Sequence, residues 1–400
     1  MNTQPRVPAS LSCSCCQREL PDHQPLWSCP SCEGLLEVRL DLSPLAALPH
    51  DERLMVVRGD PGERGLWRFR AVLPVDSDDP VSMGEGDTPV VHLRVLGERL
   101  GLPHLYAKLE FFSPTASFKD RGTTAMVTKA REVGVRRLVE DSSGNAGASI
   151  AAYCARAGIE ASIYVPQSAP AAKKAQIAFY GAEVVPIGGT RDDVTEAAMG
   201  RCRLDGAYYG SHNWNPFFLE GTKTFAYEVA EQFDYNPPEH IVVPVGNGSL
   251  FLGSWRGFGE LKELGLLERL PKMHVAQATG CMPIVDALER ELERTEVIPT
   301  FPTVAGGISI GRPSRGQMIV SAARSSGGSG AAAPDQDILR FQRDLATLEG
   351  IFCEPTSATA FAVLPRLLQQ GAIRSEDRVL VAVTGMGLKD TSVLEVTPAT

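Results

Sequence analysis

Lys119 stands in Ser117-Phe118-Lys119-Asp120-Arg121-Gly122, after a loop containing Pro114 and at the predicted start of a helix. A lysine amine can form an imine with an aldehyde cofactor and then serve as a base, provided that it sits in a cleft. Three further stretches place small or polar residues just after a predicted strand. In Asp141-Ser142-Ser143-Gly144-Asn145-Ala146-Gly147 the small residues let the backbone approach a ligand, and the Asn145 amide can hydrogen-bond a ring oxygen. Serine and asparagine also cap helices routinely, so this stretch alone decides nothing. Val245-Gly246-Asn247-Gly248-Ser249-Leu250 can turn successive N–H groups toward a phosphate at a helix start. It departs from a dinucleotide fingerprint because Leu250 and Phe251 stand where the third glycine belongs, which argues against a nicotinamide site. Thr384 opens Thr-Gly-Met-Gly after the apolar run VLVAV, where a hydroxyl can meet a ring nitrogen without imposing a charge. All four stretches fall at the carboxyl ends of predicted strands, where ligands bind in open α/β sheets.

The cysteines carry a separate chemistry. Cys13-x-x-Cys16 and Cys29-x-x-Cys32 are two knuckles separated by twelve residues, a spacing that suits tetrahedral zinc with four thiolates. Cys15 is an alternative to Cys16, and His23 is a spare ligand. A segment this short has no core of its own, so the metal is expected to be structural. Cys154, Cys202, Cys281 and Cys353 are scattered and read as small core residues rather than as a disulfide framework.

The elements that must position these residues are strands alternating with helices. HLYAKLE, RRLVEDSS, EASIYVP, AEVVPIGG, HIVVPVG, KMHVAQATG and RVLVAVTG read as strands; SFKDRGTTAMVTKAREVG, GNAGASIAAYCARAG, AKKAQIAFYG and EGTKTFAYEVAEQF read as helices. That alternation implies an α/β fold with mainly parallel sheet. Residues 1–40 form a Cys-rich extension with a short strand in LLEVRL, and 41–83 read as a connector with one or two short helices. SSGGSGAAAPD (325–335) reads as a mobile surface loop. The 400 residues are 43% hydrophobic and 22% charged, with a formal net charge of -9, which argues against nucleic acid or an anionic membrane as partner. No apolar run approaches the ~20 residues of a membrane helix, and the N-terminus lacks a signal-peptide layout. A cytoplasmic location is therefore expected.

The chain resembles the fold type II pyridoxal-phosphate (PLP) enzymes, and within them the threonine synthase family. The resemblance runs from about residue 84 to 390 through GEGDTP, KLEFFSPTASFKDRG, DSSGNAGASIAAY, HNWNPFFLEGTKT, VPVGNGS, EGIFCEPTSA and VTGMGLKD. It implies Lys119 as the Schiff-base lysine and Asn145 as partner of the PLP ring hydroxyl. It implies Gly246, Asn247, Gly248 and Ser249 as the phosphate cradle, and Thr384 as the residue at the pyridine nitrogen. The family usually reads NPTGSFKDRG; here Ser113 and Ala116 replace the asparagine and the glycine, and the cradle is less glycine-rich than usual. Neither change removes a reacting group. The implied architecture is two α/β domains, a large one over 84–115 and 225–390 and a small one over 116–224, with the N-terminal zinc-ribbon-like extension and a tail at 391–400. Similar Cys pairs occur in some threonine synthases, and the family is usually homodimeric.

The implied reaction converts the small amino-acid substrate O-phospho-L-homoserine, with water, to L-threonine and phosphate. Thr88, Lys108, Ser142, Ser143 and Asn215 are expected, from position, to grip the substrate phosphate or carboxylate; Lys108 is equally placed to pair with Glu110. The alternatives are cysteate synthase and a threonine or diaminopropionate ammonia-lyase. Asp120 leans away from the threonine deaminases, which usually lack it. Intact Lys119, Asn145 and Thr384 speak against a non-catalytic scaffold.

Overall fold

Continuous apolar runs such as Ile241-Val242-Val243 can be buried on both faces only in a sheet covered by helices, and all three residues are fully buried. A computed structural model describes residues 6–60, 62–169 and 171–391; most of the tail expected at 391–400 lies outside them. The first three strands, β1 (Ala9–Cys13), β2 (Glu19–Pro21) and β3 (Leu36–Leu40), form an antiparallel sheet in the order β2-β1-β3. β4 (Val90–His92) and β5 (Leu105–Leu109) belong to the largest sheet. β6 (Arg137–Glu140), β7 (Glu160–Pro166), β8 (Glu183–Ile187) and β9 (Tyr208–Tyr209) make a parallel sheet in the order β8-β7-β6-β9. β10 (His240–Pro244), β11 (Lys272–Ala278), β12 (Gly330–Ala333) and β13 (Val379–Val383) complete the largest sheet, ordered β12-β11-β10-β13-β5-β4. Only β4 runs antiparallel in it.

The chain divides into two compact units. The first holds the described residues up to Asp87, with Ser113–Pro237 and Leu252–Leu270. It contains the three-stranded and the four-stranded sheets. Leu11, Leu36 and Val38 of the small sheet share one hydrophobic cluster with Met126, Val127, Tyr153 and Phe217, so the N-terminal segment buries its apolar face on the α/β layer. The second unit holds Thr88–Phe112, Pro238–Phe251 and the described residues from Pro271 onward, built on the six-stranded sheet. Among the described residues, no helix is long and apolar enough to cross a membrane.

Two sequence readings change. The stretch 325–335 is not a mobile surface loop: Gly330–Ala333 is a buried edge strand paired in parallel with Val275–Ala278. Part of the stretch is closely packed: a Cβ at Gly328 would stand 1.9 Å from the Met273 carbonyl oxygen. The single helix expected over 220–233 begins earlier, at Pro216, with Asn215 as its cap, and is interrupted at Lys223. Thr222 and Thr224 hydroxyls bond back to the carbonyls of Leu219 and Gly221 there, a local competition that breaks regular helix. Cys154, Cys202, Cys281 and Cys353 are all buried, as their scatter suggested.

The helix Lys119–Glu132 lies tight against Pro216–Thr222. A Cβ on Gly221 would stand 1.8 Å from the Arg121 carbonyl oxygen, and one on Gly122 2.4 Å from the Phe218 ring. The loop entering this helix turns at Ala116, whose N–H bonds the Ser113 carbonyl at 2.8 Å and whose φ of 63° lies in the left-handed region. An L-residue there is strained by about 1 kcal/mol relative to glycine. Ala116→Gly is therefore expected to raise stability by up to about 1 kcal/mol, less what glycine adds to unfolded-chain entropy. Urea unfolding at equilibrium checks this; a clear loss of stability would show that the alanine methyl has a packing role instead.

Candidate functional site

In the first unit, the strand ends of β6 and β9 bring the polar loops together. Lys119 is the first residue of its helix and is half-buried, its Nζ 4.6 Å from the Phe118 ring centroid and 5.6 Å from that of Phe218. Asp120, fully buried, accepts hydrogen bonds from the Thr115 N–H and hydroxyl and from the Ser149 hydroxyl, each at 2.6 Å. Ser149 lies one turn into the helix Asn145–Ala157, so this carboxylate joins the lysine helix to the asparagine helix. Arg121, also buried, makes a bidentate pair with Glu228, both bonds 2.7 Å. Ser142, Ser143 and Asn145 are half-buried after β6.

Asn215 has a different place from the one expected. It is 1% exposed; its Oδ1 accepts the Phe217 N–H and its Nδ2 donates to the Tyr208 hydroxyl. Those bonds use it as a helix cap.

The second unit carries the other set. β10 and β13 are neighbours in the sheet, and their carboxyl ends lead into residues 245–249 and into Thr384. Gly248 has φ +75°, and a Cβ on it would stand 2.5 Å from Ile319; one on Gly246 would stand 3.0 Å from the Ile308 Cα. Only glycine lets this turn curl so closely ahead of the helix Ser249–Glu263. The Thr384 hydroxyl is 2.9 Å from that of Ser357, whose oxygen also accepts the Gly385 N–H. Thr88 and Lys108 are brought together in this unit but are fully buried: Lys108 Nζ donates to the Thr88 carbonyl at 3.0 Å, and the Thr88 hydroxyl to Glu110 at 2.7 Å. Their polar atoms brace β4 against β5.

Each unit's groups suit part of PLP by type: in the first, an amine against aromatic faces and an amide at a helix start; in the second, a glycine-shaped turn ahead of a helix and an uncharged hydroxyl at a strand end.

Three residues of the first unit escaped the sequence reading. Glu140, the last residue of β6, is fully buried; its Oε1 lies 2.7 Å from His212 Nδ1, and its Oε2 has no hydrogen-bond partner. Burial, with the charge of Asp141 next to it, pushes the Glu140 carboxyl well above the usual range. Burial pushes His212 well below its ordinary value, and the charges of Lys119 and Arg191 add to the effect. Arg191 opens the helix Arg191–Asp205 and bonds both the Asp141 carbonyl and, at 3.1 Å, its carboxylate. The signal for Arg191 was a guanidinium directly after a predicted strand; it lay fifty residues from its partner and stood out only once β6 and the helix were placed.

At the N-terminus, Cys13, Cys16, Cys29 and Cys32 come together with their sulfurs all within 4.8 Å of one another. Cys15 is exposed and is not among the four. The N–H groups of Cys15 and Cys16 point at Cys13 Sγ, 3.4 and 3.5 Å away, as suits a thiolate.

Comparison with known proteins agrees with this chemistry. The family model described as pyridoxal-phosphate dependent enzyme matches residues 81–385. The threonine synthase of Methanocaldococcus jannaschii is 39% identical over 369 residues, covering 91% of this chain and 89% of that protein. That of Methanosarcina acetivorans is 37% identical over 381 residues, covering 95% and 92%. That of Mycobacterium tuberculosis is 37% identical over 332 residues, covering 82% and 89%. Among solved structures, a pyridoxal 5'-phosphate-dependent aspartate racemase superposes with a TM-score of 0.66 at 23% identity, covering 78% of this chain and 93% of that one. Maize serine racemase gives 0.64 at 21%, covering 75% and 88%. At such identities the solved structures speak for the fold alone, whereas the sequence relatives are close and nearly full-length. The chain belongs to the fold type II pyridoxal-phosphate-dependent enzymes, in the threonine synthase family.

Proposed function

We propose that this protein is a PLP-dependent lyase that converts O-phospho-L-homoserine and water to L-threonine and phosphate. The observation that carries the reading is Lys119, held at a helix start against two aromatic rings and braced by buried Asp120. Support for the substrate comes from threonine synthases 37–39% identical over most of the chain. Bound at Lys119, the cofactor supplies an electron sink for charge at the substrate α-carbon. Asn145, Gly246 to Ser249 and Thr384 hold it. Lys119 moves protons at the α- and β-carbons, a task that favours an amine partly withdrawn from water. Phosphate leaves from the γ-carbon, which gains a proton to become the methyl group, and water adds at the β-carbon, so one phosphate appears for each threonine. Of the five substrate-binding residues expected, we retain Ser142 and Ser143, which are half-buried; Thr88, Lys108 and Asn215 serve the framework.

The four N-terminal cysteines, in this reading, hold a structural zinc ion. Four sulfurs complete a tetrahedral shell and leave no position for a substrate. We take the working form to be a cytoplasmic homodimer with a large and a small α/β domain, as the family's usual organisation suggests.

Two outcomes are expected. Purified protein incubated with O-phosphohomoserine should release inorganic phosphate with an equal amount of threonine, read by amino-acid analysis. Keto acid formed from threonine, with O-phosphohomoserine untouched, would replace the synthase reading by a deaminase one. Metal analysis should find about one zinc per chain. Cys29→Ser should lower that content and the melting temperature by several degrees, leaving turnover per folded molecule within about twofold. Protein prepared without chelator and devoid of zinc would contradict the zinc assignment.

A further inference from the structure

A γ-phosphorylated substrate requires a cation as well as hydroxyls, because phosphate oxygens are strong acceptors carrying nearly two charges. Lys108, the cation expected for this task, is buried with its amine on the Thr88 carbonyl. Lys119 is committed to the cofactor. Among the described residues of the first unit, Arg191 is a cation bonded to Asp141, the residue that precedes Ser142.

Its setting is specific. Asp141 fixes the guanidinium through its carbonyl and carboxylate, and Asp141 is itself held by the Thr195 hydroxyl at 2.5 Å and faced by the Ser211 hydroxyl at 3.4 Å. The guanidinium is thus pre-oriented at the residue that leads directly into Ser142 and Ser143. Its side chain is still 36% exposed, while that of Asp141 is 2% exposed. An arginine clamped on one side keeps donors free in geometry to grip a tetrahedral anion on the other. The charges around it are arranged consistently. The charges of Arg191 and Lys119 both act on the buried Glu140 and His212. Burial pushes the Glu140 carboxyl up and the His212 imidazole down, so it favours the neutral form of both.

We propose that Arg191, together with Ser142 and Ser143, receives the phosphate group of the substrate, and that Asp141 is the positioning residue that aims it. The inference rests on the phosphorylated-substrate reading, and the test separates the two. Binding of inorganic phosphate to the cofactor-loaded protein is measured by calorimetry, and KM and kcat for O-phosphohomoserine by phosphate release, for wild type, Arg191→Lys and Arg191→Gln. Arg191→Gln should weaken phosphate binding and raise KM about tenfold or more, the loss typical of a charge-assisted pair. Arg191→Lys should recover only part of both, because an ammonium lacks the planar fork. The visible absorbance of the bound cofactor should be the same in all three. The lysine variant retains a charge for Asp141, so it keeps the test valid should the glutamine variant unfold. Phosphate binding and KM within twofold of wild type in a folded variant would overturn the proposal. If wild type does not turn over O-phosphohomoserine, the substrate reading fails, while loss of phosphate binding in the variants still decides the role of Arg191.

Discussion

Asp120 is the constraint on which the first unit's chemistry depends. One buried carboxylate accepts three short hydrogen bonds, two from Thr115 and one from Ser149. The first two close the loop that delivers Lys119, and the third ties the lysine helix to the helix begun by Asn145. A buried carboxylate satisfied in this way is stable as an anion, whereas one with a bond removed is costly. The same residue therefore fixes two elements that come from separate strand-helix units. It sits directly beside Lys119 in sequence, and its helical neighbour Arg121 is locked by Glu228. Of the three consecutive charged residues of the motif, Lys119 stays half-buried while Asp120 and Arg121 are buried and build the frame.

The placement of charge follows from that frame. The end of β6 carries Glu140 and Asp141 in succession, and strand alternation sends them to opposite sides. Glu140 meets His212; Asp141, also buried, meets the partly exposed Arg191. Burial pushes the first carboxyl up toward its neutral form, and an arginine pairs with the second.

Much of the fold was legible in the sequence because strand and helix have different apolar periods; EASIYVP coincides with β7, and HIVVPVG contains β10 and runs two residues past it. The glycine turn and the clustering of the four cysteines were legible because their spacing is chemical. What escaped was long-range. Gly330–Ala333 looked like a flexible tract because smallness reads as looseness, whereas it is a buried strand, and just before it a Cβ at Gly328 would stand 1.9 Å from the Met273 carbonyl oxygen. Thr88, Lys108 and Asn215 looked available because polarity reads as exposure, and each is instead consumed by an internal hydrogen bond. Arg191 was overlooked because its partner is fifty residues away. Sequence shows which groups are present; only the fold shows which are already used.

The central claim is that Lys119 is the amine that bears the cofactor. Borohydride reduction of the purified yellow protein, followed by digestion and mass spectrometry of the peptides, tests it most directly. The account predicts the cofactor's mass on the peptide containing Lys119 and its loss in Lys119→Ala. The same mass found on Lys173 or on Lys223 would contradict it.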